Sequence, residues 1–100
     1  MTVGIACTGQ TLEADVCPQF GRCPFLLIVD ADSLDFDAIS NAAAAMPGGA
    51  GPVTVQELSD RGVDVAIAGE FGPKAQRALE LAGIRSVRSS GPVRDALATL

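Results

Sequence analysis

The stretch Gly62-Val63-Asp64-Val65-Ala66-Ile67-Ala68-Gly69-Glu70-Phe71-Gly72-Pro73-Lys74-Ala75 decides the fold. The largely apolar run from Val63 to Ala68 predicts a strand. Pro73 suits the first position of a helix, where its missing N–H would be unpaired in any case. Ala75, Ala78, Leu79 and Ala82 then recur at i, i+3, i+4 and i+7, so the spacing predicts a helix over Pro73–Ala82, stopped by Gly83. The same punctuation precedes this stretch: Pro52 to Arg61 reads as a helix with Gly62 just past its end. Downstream, Ile84 to Val87 reads as a strand, and Val93, Ala96, Leu97 and Leu100 mark a last helical face. Such crossovers between parallel strands are right-handed.

The first half reads differently. Val3 to Cys7 is a short apolar strand, Glu13 to Val16 is extended, and Phe25 to Asp30 is the strongest strand pattern in the chain. Asp32-Ser33 marks a turn. Phe36 to Ser40 is then a strand antiparallel to its predecessor, because the connection is too short for a crossover. The order is βββαβαβα, an α/β class with a mixed sheet, in a single domain over residues 1–100. Ligands of open α/β sheets bind at the carboxyl ends of strands, where the loops of the second half open.

A net charge of -5, with seven Lys+Arg against twelve Asp+Glu, excludes the basic surface that nucleic acid requires. No apolar run reaches the roughly 18 residues of a membrane span and no basic leader opens the chain, so a cytoplasmic location is expected. There is no His, which removes the usual general base, the usual zinc partner and any Cys-His pair.

The segment Cys17-Pro18-Gln19-Phe20-Gly21-Arg22-Cys23-Pro24-Phe25 concentrates the reactive residue types. Thiolates are soft ligands and Arg is a permanent cation with five donors. Cys17 and Cys23, joined by Cys7 if the first strand ends beside this loop, would make a thiolate site. Their spacing is neither a redox CxxC nor a standard ferredoxin pattern. A fourth ligand would come from outside the chain or from a second copy in a homodimer. Arg22 either pairs with Asp15 or Asp30 or meets a ligand. The loops Pro47-Gly48-Gly49-Ala50-Gly51-Pro52 and Gly69-Glu70-Phe71-Gly72-Pro73 each precede a helix start, where backbone N–H groups favour anions. Neither matches a P-loop or a dinucleotide fingerprint, and tight turns account for such glycines equally well.

The strand Val3-Gly4-Ile5-Ala6, the core Phe20-Gly21-Arg22-Cys23-Pro24-Phe25, the loop Gly48-Gly49-Ala50-Gly51, and Gly62 to Gly69 followed by Gly72-Pro73-Lys74-Ala75 resemble the dinitrogenase iron–molybdenum cofactor biosynthesis family. The resemblance implies a ribonuclease H-like three-layer fold with a mixed five-stranded sheet. The first strand lacks the acid that a nuclease of that fold would place there. The resemblance also implies handling of iron–sulfur or iron–molybdenum clusters. Nitrogenase-linked members often use histidine, where this chain would offer thiolate.

The expectation is a non-enzymatic carrier of an iron–sulfur or molybdenum–iron–sulfur cluster. Cys17, Cys23 and Cys7 would be the metal ligands. Arg22, Gly21, Gly48, Gly49, Gly51, Gly69 and Gly72 would contact the cluster, and cluster donor and acceptor proteins would be the partners. The alternatives are a metal-free regulatory or protein-interaction module, and a thiol redox protein using a Cys17–Cys23 disulfide.

Overall fold

The computed structural model describes residues 1–100. Its elements follow the order β1 (Thr2–Cys7), β2 (Phe25–Asp30), β3 (Phe36–Ser40), α1 (Ala50–Asp60), β4 (Val65–Ala68), α2 (Pro73–Ala82), β5 (Arg85–Arg88) and α3 (Val93–Ala98), with short 3-10 turns at Phe20–Arg22 and Ala42–Ala45. The five strands form one mixed sheet, ordered β3-β2-β1-β4-β5. β1 sits at its centre, antiparallel to β2 with Ile5 opposite Leu27 and parallel to β4 with Ile5 opposite Ile67. The α/β class, the mixed five-stranded sheet and the element order expected from sequence are all present.

Two apolar cores lie on the two faces. On one face Ala6, Leu26, Ala66 and Ala68 pack under Val55 and Leu58 of α1 and Ala75 and Leu79 of α2. On the other, Val3, Ile5, Leu27, Val29, Val65 and Ile67 pack against Leu12, Val16, and Val93 and Ala96 of α3. Alternation along a strand assigns each residue to one face. β1 and β4 are buried on both, which is why they read as continuous apolar runs.

α1 and α2 stop in the same way. Gly62 and Gly83 adopt φ of 71° and 73°, the left-handed region that glycine enters without penalty. The next residue then donates back across the last turn: Val63 N–H to the Leu58 carbonyl at 3.1 Å, and Ile84 N–H to the Leu79 carbonyl at 2.9 Å. Both leucines are fully buried. The chain thus leaves each helix aimed at the next strand, and both helix N-termini return to the carboxyl ends of β1 and β4.

Some bounds shift: β4 begins at Val65 rather than Val63, and β5 runs Arg85–Arg88 rather than Ile84–Val87. α1 begins at Ala50 rather than Pro52, because Gly49 caps it at φ 74° and a proline is tolerated in a first turn. Glu13 to Val16, expected to be extended, forms no strand of the sheet. It makes only single bridges, Val16 with Cys7 and Asp15 with Pro92.

Candidate functional site

The loop from Cys17 to Pro24 is fixed by backbone bonds on both sides. Cys17 N–H donates to the Ala6 carbonyl at 2.8 Å, Gly69 N–H to the Cys17 carbonyl at 2.9 Å, and Phe20 N–H to the Glu70 carbonyl at 3.1 Å. It therefore runs beside the segment that follows β4. Phe20 is buried and rests on Phe71, with ring centroids 5.0 Å apart. A Cβ on Gly69 would come within 2.8 Å of the Pro18 backbone, so Gly69 serves this contact.

The turn Phe20–Arg22 lies against the start of α1. A Cβ on Gly21 would meet the Gly51 nitrogen at 2.7 Å, and a Cβ on Gly51 would meet the Ala75 Cβ at 2.9 Å. Glycine at both positions lets three backbones approach: the turn, α1 and α2. Between them opens a cleft of about 580 Å³. Gly21, Arg22, Gly49, Gly51, Gly72 and Lys74 are among its lining residues. Of the expected contact residues, Gly21, Arg22, Gly49, Gly51 and Gly72 are thus brought together. Gly48 and Gly69 do not line the cleft.

Both long helices start at this cleft, and neither has a side-chain cap. Val53 N–H returns to the Gly49 carbonyl and Gln76 N–H to the Gly72 carbonyl. The first N–H groups of a helix have no intrahelical partner. Those of Ala50 and Gly51 in α1, and of Lys74 and Ala75 in α2, are accordingly left over, while Pro52 and Pro73 carry none.

Arg22 pairs with neither Asp15 nor Asp30. Its guanidinium donates to the carbonyls of Ala44 and Met46, tying the segment after β3 to the cleft rim. Lys74, also on the rim, has no carboxylate partner; the side-chain ion pairs are Arg61–Glu57 and Arg94–Glu13. A cation in the first turn of a helix opposes the dipole. That misfit was the sequence signal for Lys74, which sequence reasoning missed.

Sequence reasoning also missed Asn41, which is 8% exposed. Its Nδ2 donates to the Cys23 carbonyl at 2.9 Å and reaches the Cys23 Sγ and the Gly21 carbonyl at 3.4 Å. Thr54 Oγ1 is 3.2 Å from Asn41 Oδ1 and 2.8 Å from the Ala50 carbonyl. One buried amide thus fastens the turn to the first turn of α1. No local pattern marks it, because its partners lie 13 to 20 residues away.

The cysteines depart most from expectation. All three are free and buried, and they form no group able to hold a metal ion. Cys17 and Cys23 belong to the core under α1 and α2, whereas Cys7 belongs to the core on the opposite face. Burial pushes the Cys23 thiol up to about 12 against the opposing pull of Asn41. Burial likewise raises the Cys7 thiol, whose Sγ lies 3.1 Å from the Gly9 carbonyl. A protonated, enclosed thiol is neither a ready metal ligand nor a ready nucleophile. The expected three-thiolate metal site is not assembled.

Fold and cleft together define a small α/β protein that presents an open, donor-rich depression at the carboxyl ends of its parallel strands. The dinitrogenase iron-molybdenum cofactor family model matches residues 1–100, and the chain belongs to that family. No curated protein matches it. Among solved structures, the apo form of the orange protein from Desulfovibrio gigas is 32% identical, with a TM-score of 0.92 over 97% of this chain and 83% of that one. A Thermotoga protein, TM1290, provisionally described as NifB and assigned to the DUF35 family, is 31% identical, with a TM-score of 0.83 over 98% and 84%. PH0822, at 20% identity and a TM-score of 0.83 over 99% and 88%, shares the fold.

Proposed function

We propose that this protein is a non-catalytic carrier of an anionic metal–sulfur cluster, of iron–sulfur or molybdenum–iron–sulfur type, held as cargo in the cleft and passed between donor and acceptor proteins. The observation that carries this reading is the convergence of two uncapped helix N-termini with Arg22 and Lys74 on one open cleft. Backbone N–H groups, a guanidinium and an ammonium are hydrogen-bond donors. They suit the sulfide and oxide surface of an anionic cluster, and they suit its metals poorly. The cargo is therefore held by its outer atoms, without a cysteine bond. Such binding is reversible, as transfer requires. Membership of a family named for a metal–sulfur cofactor supports the same reading.

Anaerobic incubation with iron and sulfide, with and without molybdate, tests it. Protein recovered by gel filtration is expected to carry metal and visible absorption. Cys17→Ser is expected to retain both, while Arg22→Ala combined with Lys74→Gln loses them. Wild-type protein without bound metal would sink the proposal. Loss of metal in Cys17→Ser alone would restore cysteine ligation.

A further inference from the structure

Beside the cleft lies a second cavity of about 470 Å³, lined by Glu70, Phe71, Gln76, Ser86 and Arg88. It shares Glu70 and Phe71 with the cleft, so the two are lobes of one depression. The second lobe carries opposed charges, the Glu70 carboxylate and the Arg88 guanidinium. They do not meet, since the ion pairs of this protein involve neither residue. Opposite charges that face one cavity without closing on each other leave a gap. The molecule that fits it carries both signs, a carboxylate toward Arg88 and an ammonium toward Glu70. Arg is well matched to a carboxylate because its planar fork can donate twice.

The wall between the charges is already ordered. Ser86 Oγ donates to Gln76 Oε1 at 3.1 Å, and Gln76 Nε2 donates to Glu80 Oε1 at 3.4 Å. The serine hydrogen is thereby committed, and its oxygen remains free to accept from an ammonium. Phe71, braced on Phe20, supplies an apolar surface at the junction with the cleft.

We infer that the second lobe binds the zwitterionic head of a free α-amino acid, and that this amino acid carries a thiol. The second part rests on the cargo role proposed above. All three protein thiols are enclosed in the two cores, so the cleft offers no sulfur ligand of its own. An amino-acid thiol anchored by its head in the second lobe directs its sulfur past Phe71 toward the cargo. On coordination the thiol gives its proton to solvent, and the thiolate lone pair forms the bond to metal. The amino acid thus acts as a detachable ligand.

Amide-resolved NMR titrations of the metal-free, full-length protein test the head site. L-cysteine and L-serine are expected to bind alike and to shift Phe71, Ser86 and Arg88. Cysteamine, which lacks the carboxylate, should bind at least about tenfold more weakly, the loss expected for one charge-assisted contact. Arg88→Ala and Glu70→Gln should each weaken L-serine by a similar factor. No shifts with either amino acid, or equal affinity in both variants, overturns the inference. Metal retention after incubation with iron and sulfide is then compared with each amino acid present. Higher retention with cysteine than with serine supports the thiol assignment, and equal retention overturns it while leaving the head site standing. Amino-acid binding to a protein that retains no metal under any condition overturns the cargo reading and the thiol assignment together, and leaves the head site intact.

Discussion

At the carboxyl ends of β1 and β4 the surface presents Arg22, Lys74 and Arg88, the starts of α1 and α2, and an open two-lobed depression. At the opposite end of the same strands it presents Asp30, Asp32, Asp35, Asp37, Asp60 and Asp64, at turns and element ends. The net charge of -5 averages these two ends and describes neither. An acidic protein can therefore gather cations and helix starts at one cleft, where Glu70 is the one carboxylate among the lining residues. Glycine differs between the ends as well. Gly62 and Gly83, at the acidic end, are required by a positive φ with open space around them, while Gly21 and Gly51, at the cleft, are required by backbones in contact.

The sharpest way to break this contrast is Gly21→Val. The new Cβ meets main-chain atoms of Ala50 and Gly51 at 2.7 to 3.2 Å, which cannot move aside as a side-chain tip could. Destabilisation of at least about 3 kcal/mol is expected, the upper range of overpacking. The melting temperature should fall by roughly 4–8 °C per kcal/mol in a domain of this size. Gly72→Ala is the paired control. Gly72 has φ −66° and nothing within 4 Å of a built Cβ, so less than about 1 kcal/mol should be lost, the difference between two uncharged N-caps. Equal losses in the two variants, measured by thermal unfolding, would refute the close-packing account of the cleft.

Asn41→Ala should come next. It removes the donor to the Cys23 carbonyl and the partner of Thr54, leaving buried polar groups unpaired at a cost of about 1–3 kcal/mol. Because the amide fastens the turn that carries Gly21 and Arg22, metal retention should fall at temperatures where the variant is still fully folded. Undiminished retention would show that the cleft wall does not need this clamp.

These residues show how far the sequence was legible. β2, β3 and α2 have the bounds their patterns predict, because period and punctuation are local properties. Of the glycines beside helix starts, Gly49, Gly51 and Gly72 line the cleft while Gly48 and Gly69 do not, and the thiols are enclosed in the two cores. Spacing along a loop does not tell which face of a distant sheet will cover a side chain, and Cys23 falls in the core that α1 and α2 close, with Asn41 bonded to it. Asn41 was invisible for the converse reason, since its role exists only once turn, β3 and α1 have met.

The two ends should also respond to opposite extremes of pH. The folded state holds the Cys23 proton more tightly than the unfolded chain does, from an ordinary value of 9.0 up to about 12. Its contribution to stability is complete below pH 9.0 and is lost as pH rises toward 12, at about 1.4 kcal/mol per pH unit. Asp30, at the acidic end, is held below its ordinary value of 3.8 by the N–H groups of Asp32 and Ser33, so its contribution is present above that value and is lost as pH falls. Denaturant unfolding across the alkaline range should give a shallower decline for Cys23→Ala than for wild type. Parallel declines would mean that the thiol is not held protonated by the core.

The smallest expected effects test the charge separation itself. Lys74→Gln removes a cation at the cleft rim, and Asp37→Asn removes a carboxylate at the far end of a molecule 32 Å long. At about 0.1 M salt the screening length is roughly 10 Å, so the distant substitution should leave cargo retention unchanged. Lys74→Gln should weaken retention by a factor of about five, close to 1 kcal/mol for an exposed charge, and should reduce its salt dependence. Lowering the ionic strength to about 0.01 M extends screening to roughly 30 Å, and only then should Asp37→Asn strengthen retention. If both substitutions act equally at moderate salt, the cargo senses net charge rather than the local field of the cleft, and the division between the two ends has no bearing on binding.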